Sequence, residues 1–260
     1  MFKRLLLIAH RGYSSEAPEN TFSAFDLAIE RGYHDIELDV QLSRDGVPVI
    51  IHDETLERTT NGVGRVADHS YAELSKLDAG SWFAPSFADQ RVPSLEDFLI
   101  FYKDTAYLHL EIKSSEAVLP RKIAELIIST GWAADRKEKT RHKFTASWHQ
   151  KLAVSSYDRK QLLRSIKAMP EQIVHDLLVL EVTDESLQWA ATNGMRSYYP
   201  DGKDITPELV LKAHKLYLRI GAWWWTRQEQ DVRPLLHSGV YYALVDAPLL
   251  HRRNVLLHRK

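Results

Sequence analysis

An α/β fold of the (β/α)8 TIM-barrel kind is predicted by three observations on this 260-residue chain. Apolar strand-like runs alternate with helical periodicities, eight such strands remain once one hairpin strand is set aside, and the ionisable residues best suited to chemistry fall where the early strands end. A doubly wound open sheet is the competing architecture, because periodicity does not reveal whether a sheet closes. No Pro- or Gly-rich linker splits the chain. Residues 1–260 are therefore expected to form one barrel domain, with 54–106 as an insertion after the second strand and its hairpin.

The first strand is the unbroken apolar run Leu5 to Ala9, which ends before the turn-prone Gly12. Phe22, Phe25, Ala28 and Ile29 then recur at helical spacing, with Asn20 or Thr21 as N-cap. From Asp35 to Val40 the pattern changes to period two, with Glu37 and Asp39 on one face and Ile36, Leu38 and Val40 on the other. Val47 to Ile51 follows so closely, across Arg44-Asp45-Gly46, that only an antiparallel hairpin can join the two. Short helices are expected at Tyr71 to Leu77 and Ser94 to Tyr102. Regular alternation then resumes with strands Tyr107 to Ile112, Leu152 to Ser155, Ile173 to Leu180, Met195 to Tyr199, Leu218 to Trp223 and Tyr241 to Val245. The helices between them are Leu119 to Thr130, Lys160 to Ala168, Glu185 to Thr192, Pro207 to Leu216 and Glu229 to His237.

Composition narrows the function. With 44% apolar residues and a net charge of −1, the chain can build a large core but carries no overall basic field for a nucleic-acid backbone. The absence of cysteine excludes disulfides, thiolate metal sites and a cysteine nucleophile. The apolar run after Met1-Phe2-Lys3-Arg4 is cut by His10-Arg11, too short for a secretory h-region. No stretch approaches the roughly 20 apolar residues of a membrane span, so a soluble, cytoplasmic protein is expected.

In a barrel, His10, Arg11, Glu37, Asp39, Glu111 and Lys113 converge on the mouth where the strands end, and His52, closing the hairpin, can return to the same rim. Three converging carboxylates suit a hard divalent cation, Mg²⁺ or Ca²⁺, which polarises a phosphoryl oxygen. Arg11 offers a planar fork for phosphate and Lys113 a compact charge beside it. Two histidines in one mouth can divide proton removal from proton donation. The plain alternatives are a solvated strand face for Glu37 with Asp39 and a simple ion pair for Glu111 with Lys113.

The same residues carry a family resemblance. Ala9-His10-Arg11-Gly12, Ala17-Pro18-Glu19-Asn20-Thr21, Ile36-Glu37-Leu38-Asp39-Val40, His52-Asp53, Leu56-Glu57-Arg58-Thr59-Thr60-Asn61-Gly62 and Glu111-Ile112-Lys113, in this order, resemble the glycerophosphodiester phosphodiesterases. The likeness extends through Asp78 to Phe83 and Val92 to Leu95, and thins after Lys113 except at Ser155-Ser156-Tyr157-Asp158. It implies a TIM-barrel hydrolase that cuts small glycerophosphodiesters to sn-glycerol 3-phosphate and an alcohol. By position, Glu37, Asp39 and Glu111 would hold the metal, His10 and His52 would be the acid–base pair, and Arg11 and Lys113 would bind phosphate. Glu19, Asn20 and Asp53 would support the site from behind.

The chain departs from the family pattern in two places. Trp223-Trp224-Trp225-Thr226-Arg227 stands where an aromatic-Thr-Val-Asn run is usual, and Val245-Asp246-Ala247-Pro248 keeps the Asp of the terminal strand but not the preceding Thr. Both lie where the leaving alcohol would be met. Trp223 and Trp225 are either core on alternate residues or an aromatic wall that accepts a quaternary ammonium such as choline. A lysophospholipase D-like enzyme and a non-catalytic phosphate or lipid-headgroup binding barrel are the rival functions.

Overall fold

In the computed structural model, residues 5–132, 151–226 and 230–247 are described. The strands are β1 (Leu6–Ala9), β2 (Asp35–Leu42), β3 (Pro48–Ile50), β4 (Tyr107–Ile112), β5 (Leu152–Ser156), β6 (Val174–Leu178), β7 (Ser197–Tyr199), β8 (Arg219–Ala222) and β9 (Tyr242–Val245). The helices are α1 (Phe22–Glu30), α2 (Tyr71–Leu74), α3 (Leu95–Tyr102), α4 (Leu119–Ser129), α5 (Arg159–Ala168), α6 (Asp184–Thr192) and α7 (Pro207–Lys215). Their sheet order is β1-β9-β8-β7-β6-β5-β4-β2-β3, and β1 also pairs with β2, so eight parallel strands close on themselves. This is the predicted TIM barrel, and the open-sheet alternative falls. β3 hangs antiparallel on β2 with Val40 opposite Ile50, as the short turn required.

The alternation in β2 is what makes its acids available. Ile36, Leu38 and Val40 are fully buried in the core between sheet and helices, which places Glu37 and Asp39 on the opposite face, toward the barrel interior. Each such aliphatic side chain contributes about 1.5–3 kcal/mol. The interior itself is closed by a separate cluster of Ile8, Leu178, Tyr199, Trp223, Tyr242 and Leu244. Gly221 is needed there, because a Cβ would fall 2.1 Å from the Tyr199 ring that crosses the barrel. At the opposite, N-terminal end of the strands the interior is polar: His109 pairs with Asp35 at 3.3 Å, Arg196 with Asp176, and Arg219 donates to the Tyr242 hydroxyl at 2.5 Å.

The chain between β3 and α3 has its own small apolar cluster of Val49, Ile51, Leu56, Val66, Leu74, Ala79 and Val92. Val49 and Ile51 feed this cluster while Ile50, on the other face, joins the main core. The helix expected over Tyr71 to Leu77 ends early, at Leu74, and Lys76 and Leu77 continue only as single turns onto Glu73 and Leu74. The expected helix Glu229 to His237 is corrected. Within its described part only the 3-10 turn Arg233–Leu235 forms, since Pro234 would fall past the first turn of the expected helix, where its missing N–H and its ring break the helical pattern. Glu229, Arg227 and Pro248 lie outside the described residues. Among the described residues no helix is long and apolar enough to cross a membrane.

Candidate active site

His10, Lys113, Tyr157, Trp223 and Asp246 each follow directly on the last residue of a strand, β1, β4, β5, β8 and β9 respectively. They therefore share the C-terminal mouth of the barrel, where loops can carry chemistry without disturbing the sheet. Behind β1 the chain turns sharply. Arg11 adopts φ 56° and Asn20 φ 58°, and Gly12, at φ 81°, is irreplaceable because a Cβ would lie 2.7 Å from the Ala24 backbone. Asn20 donates from its peptide N–H to the Arg11 carbonyl at 3.0 Å and from its side chain to Asp39 at 2.8 Å, so it braces the site while Thr21 caps α1.

Glu37, Asp39 and Glu111 come together. Each offers an oxygen within 4.8 Å of the other two, and all three residues are buried. One oxygen of each, Glu37 Oε1, Asp39 Oδ1 and Glu111 Oε1, is buried without a hydrogen-bond partner. Lys113 Nζ is 2.6 Å from Glu111 Oε1 and 3.4 Å from Asp39 Oδ1, in ion-pair range but off hydrogen-bond geometry. Three such oxygens would be costly in a neutral apolar setting. The set fits a hard divalent cation, which takes oxygen ligands. Burial and the Asp39 charge push the Glu37 carboxyl well up, and burial together with Asp39 raises Glu111 against the pull of Lys113. Burial also opposes ionisation of Asp39, but Lys113 and Arg11 overcome it and hold that carboxyl far below its ordinary range. Ionisation of all three carboxyls at once is thus disfavoured without a further cation.

The two histidines are held alike. His10 Nδ1 lies 2.7 Å from Asp246 Oδ1, which also accepts from Ser14 Oγ at 3.1 Å, and His10 Nε2 is 3.9 Å from Glu37. Burial and the Arg11 charge lower the His10 imidazolium, yet the hydrogen bond and charge of Asp246, with the charge of Glu37, leave it raised above its ordinary value. His52 Nδ1 lies 2.5 Å from Asp53 Oδ1. The His52 hydrogen bond outweighs burial and, with Arg58, holds Asp53 strongly ionised. An ionised carboxylate only accepts, so Nδ1 of His52 carries the proton and Nε2 is left for other work. Arg11 donates its backbone N–H to Glu37 at 3.0 Å and its guanidinium to Glu19 at 2.7 Å, with Nε 3.1 Å from Asp39.

The remaining candidates divide. Trp223 is buried and its indole donates to the Tyr199 carbonyl at 3.1 Å; Trp224 is buried in the helix-side core; Trp225 is 62% exposed. Burial therefore does not alternate here, because the strand ends at Ala222. Trp225 packs on Trp223 at 4.9 Å between ring centroids, Trp223 on Tyr157 at 5.7 Å, and Lys113 Nζ sits 5.6 Å from the Tyr157 centroid. Two members of this mouth, Arg58 and Tyr157, are missed by the sequence reading; each lies in a segment that carries the resemblance, which is the available signal, while Asp246 is the terminal-strand Asp kept from the family pattern.

Comparison with known proteins gives the family. Residues 10–250 match the glycerophosphoryl diester phosphodiesterase family. A glycerophosphodiester phosphodiesterase of Caldanaerobacter subterraneus is 36% identical over 246 residues, covering 94% of this chain and 95% of that protein. One of Bacillus subtilis is 31% identical, covering 96% and 86%. Among solved structures, the Agrobacterium tumefaciens glycerophosphodiester phosphodiesterase superposes with TM-score 0.77 at 29% identity, covering 94% and 97%. An Oleispira antarctica phosphodiesterase in complex with the product sn-glycerol-3-phosphate gives 0.80 at 25%, covering 96% of each chain. The chain belongs to the glycerophosphoryl diester phosphodiesterase family and is an enzyme of that class, a phosphoric diester hydrolase.

Proposed function

We propose that the chain is a single barrel domain that hydrolyses small glycerophosphodiesters to sn-glycerol 3-phosphate and an alcohol, using a divalent cation, Mg²⁺ or Ca²⁺, held by Glu37, Asp39 and Glu111. The observation that carries the reading is the convergence of three buried carboxylates, their ligand oxygens within 4.8 Å of one another and Lys113 paired with two of them, on the rim that also holds His10 and His52. The product bound in the Oleispira antarctica phosphodiesterase supports the product assignment. The cation supplies Lewis-acid polarisation of a phosphoryl oxygen. Arg11 and Lys113 bind and orient the phosphate, with Glu19 and Asn20 fixing Arg11 and Asp39 from behind. His10 and His52 are the acid–base pair. Each presents Nδ1 to a carboxylate, Asp246 or Asp53, so Nε2 is the nitrogen that takes the proton of the attacking hydroxyl or returns one to the departing alkoxide.

The row Tyr157, Trp223 and Trp225 runs outward from Lys113, and Trp223 with Trp225 forms the wall met by the leaving alcohol, suited to a quaternary ammonium through cation–π contact. The test is release of sn-glycerol 3-phosphate from glycerophosphocholine, measured with Mg²⁺ or Ca²⁺ and again after chelation. Loss on chelation and recovery on adding cation are expected. Undiminished turnover in chelator would remove the metal assignment, and turnover of lysophosphatidylcholine alone would replace the substrate class.

A further inference from the structure

The loop after β3 contains a residue that joins the two halves of the proposed site. Arg58 makes two forked contacts. Its Nε donates to Asp53 Oδ2 at 2.6 Å and its Nη2 to Asp53 Oδ1 at 3.0 Å, while Nη1 and Nη2 donate to Glu19 Oε2 and Oε1 at 2.9 and 2.8 Å. Each acid is shared in turn, Asp53 with His52 and Glu19 with Arg11. A continuous chain of charge-assisted hydrogen bonds thus runs Arg11, Glu19, Arg58, Asp53, His52. Such forks are planar and directional, so they fix orientation as well as charge.

The loop is built to hold this side chain still. Leu56 is fully buried, Thr60 donates from its hydroxyl to the Leu56 carbonyl at 2.7 Å, Gly62 donates back to the Thr60 hydroxyl at 3.0 Å, and the Leu56 N–H bonds the Gly64 carbonyl at 3.0 Å. Arg58 itself remains 43% exposed along its side chain, which means that solvent-borne groups can reach its place. The two carboxylates that Arg58 grips are the ones that also bond His52 and Arg11, so its forks set the orientation of both partners as well as that of its own loop.

We propose that Arg58 is a positioning residue: it fixes Asp53 so that His52 keeps its proton on Nδ1 and turns Nε2 to the substrate, and it fixes Glu19 so that Arg11 keeps its phosphate-facing orientation. This rests on the proposed roles of His52 and Arg11. The decisive comparison is steady-state hydrolysis of glycerophosphocholine by wild type, Arg58→Lys and Arg58→Ala, with and without added guanidinium at about 50 mM, well below denaturing levels. Removal of an orienting partner of this kind lowers activity by about 10–100-fold. A fall of that size in kcat is expected for Arg58→Ala, with KM within about threefold, partial recovery in Arg58→Lys, and partial rescue of Arg58→Ala by guanidinium, which a purely structural role would not give. Imidazole ¹H–¹⁵N spectra supply a readout independent of turnover: the His52 Nδ1–H signal should be lost or shifted in Arg58→Ala and restored by guanidinium. A kcat within twofold of wild type, or an unchanged His52 signal, overturns the proposal. Should the wild type hydrolyse no diester at all, the proposed function fails while the ring spectra still decide the role of Arg58.

Discussion

Substituting Glu37→Gln separates the stability of this protein from its activity. Glu37 has carboxylate neighbours in Asp39 and Glu111 with ligand oxygens within 4.8 Å, and it is only 2% exposed. Burial and the Asp39 charge push the Glu37 carboxyl up to about 8, so near neutral pH the cation-free fold must keep it protonated while the unfolded chain ionises it. Glutamine keeps the shape and removes that cost, which should stabilise the cation-free protein at neutral pH by about 1–3 kcal/mol, or about 2–6 °C in Tm for a chain of this size. Glutamine preserves a carbonyl oxygen to accept the Arg11 N–H. The assay is a pair of thermal melts, one in chelator and one in millimolar Mg²⁺ or Ca²⁺, alongside hydrolysis by the same samples. In chelator the variant should melt above the wild type; with cation the wild type should gain, by about 3 kcal/mol at a hundredfold excess over Kd, where the variant gains little. Hydrolysis by the variant should fall at least about a hundredfold, the order seen when a group stabilising transition-state charge is removed. A variant that melts below the wild type in chelator would refute the claim that these carboxylates are crowded for a cation.

Three further outcomes follow from the geometry. Burial lowers the His175 imidazolium to about 4, so the folded state requires a neutral ring. Stability is complete above the unfolded value near 6.5 and is lost as pH falls from there to about 4, by about 3 kcal/mol in all; urea titrations should show that slope, and His175→Gln should flatten it. Gly12→Ala forces a positive φ and a 2.7 Å contact with the Ala24 backbone, so it should lower unfolding stability by about 2–4 kcal/mol in denaturant melts, with no compensating gain. Asp246→Asn removes the charge that keeps His10 raised against burial and Arg11. The kcat profile governed by His10 should move to lower pH and kcat should fall by about 10–100-fold, and an unmoved profile would show that His10 is not the titrating group.

Much of this architecture was legible in the chain because its signals are local and redundant. The period-two run Asp35 to Val40 set both the core face and the acidic face of one strand, and the short Arg44 to Gly46 turn allowed only a hairpin, which explains how His52 reaches the rim so soon after Asp39. Barrel closure was not legible, since the pairing of β1 with β9 joins opposite ends of the sequence. The helix expected at Glu229 to His237 does not form because the missing N–H of Pro234 overrides the apolar periodicity around it. Trp225 was harder: whether three tryptophans alternate depends on where the strand stops, and Ala222 ends it one residue before the first of them. Arg58 looks like an ordinary surface cation until the loop folds Glu19 and Asp53 onto it.

The hydrogen bond between His10 and Asp246 spans 236 residues and crosses the seam where the last strand meets the first. Contacts of such long range form late, because loop closure must precede them. With His10 in its proposed role, turnover is thus a gauge of whether the ring of strands has been completed: a chain folded everywhere except at that seam would keep most of its secondary structure, its carboxylate cluster and its β2–β3 hairpin, and still lack the carboxylate that orients one of the two histidines at the mouth. Refolding followed by activity should then lag refolding followed by circular dichroism, and the interval between the two would time the closing of the circle.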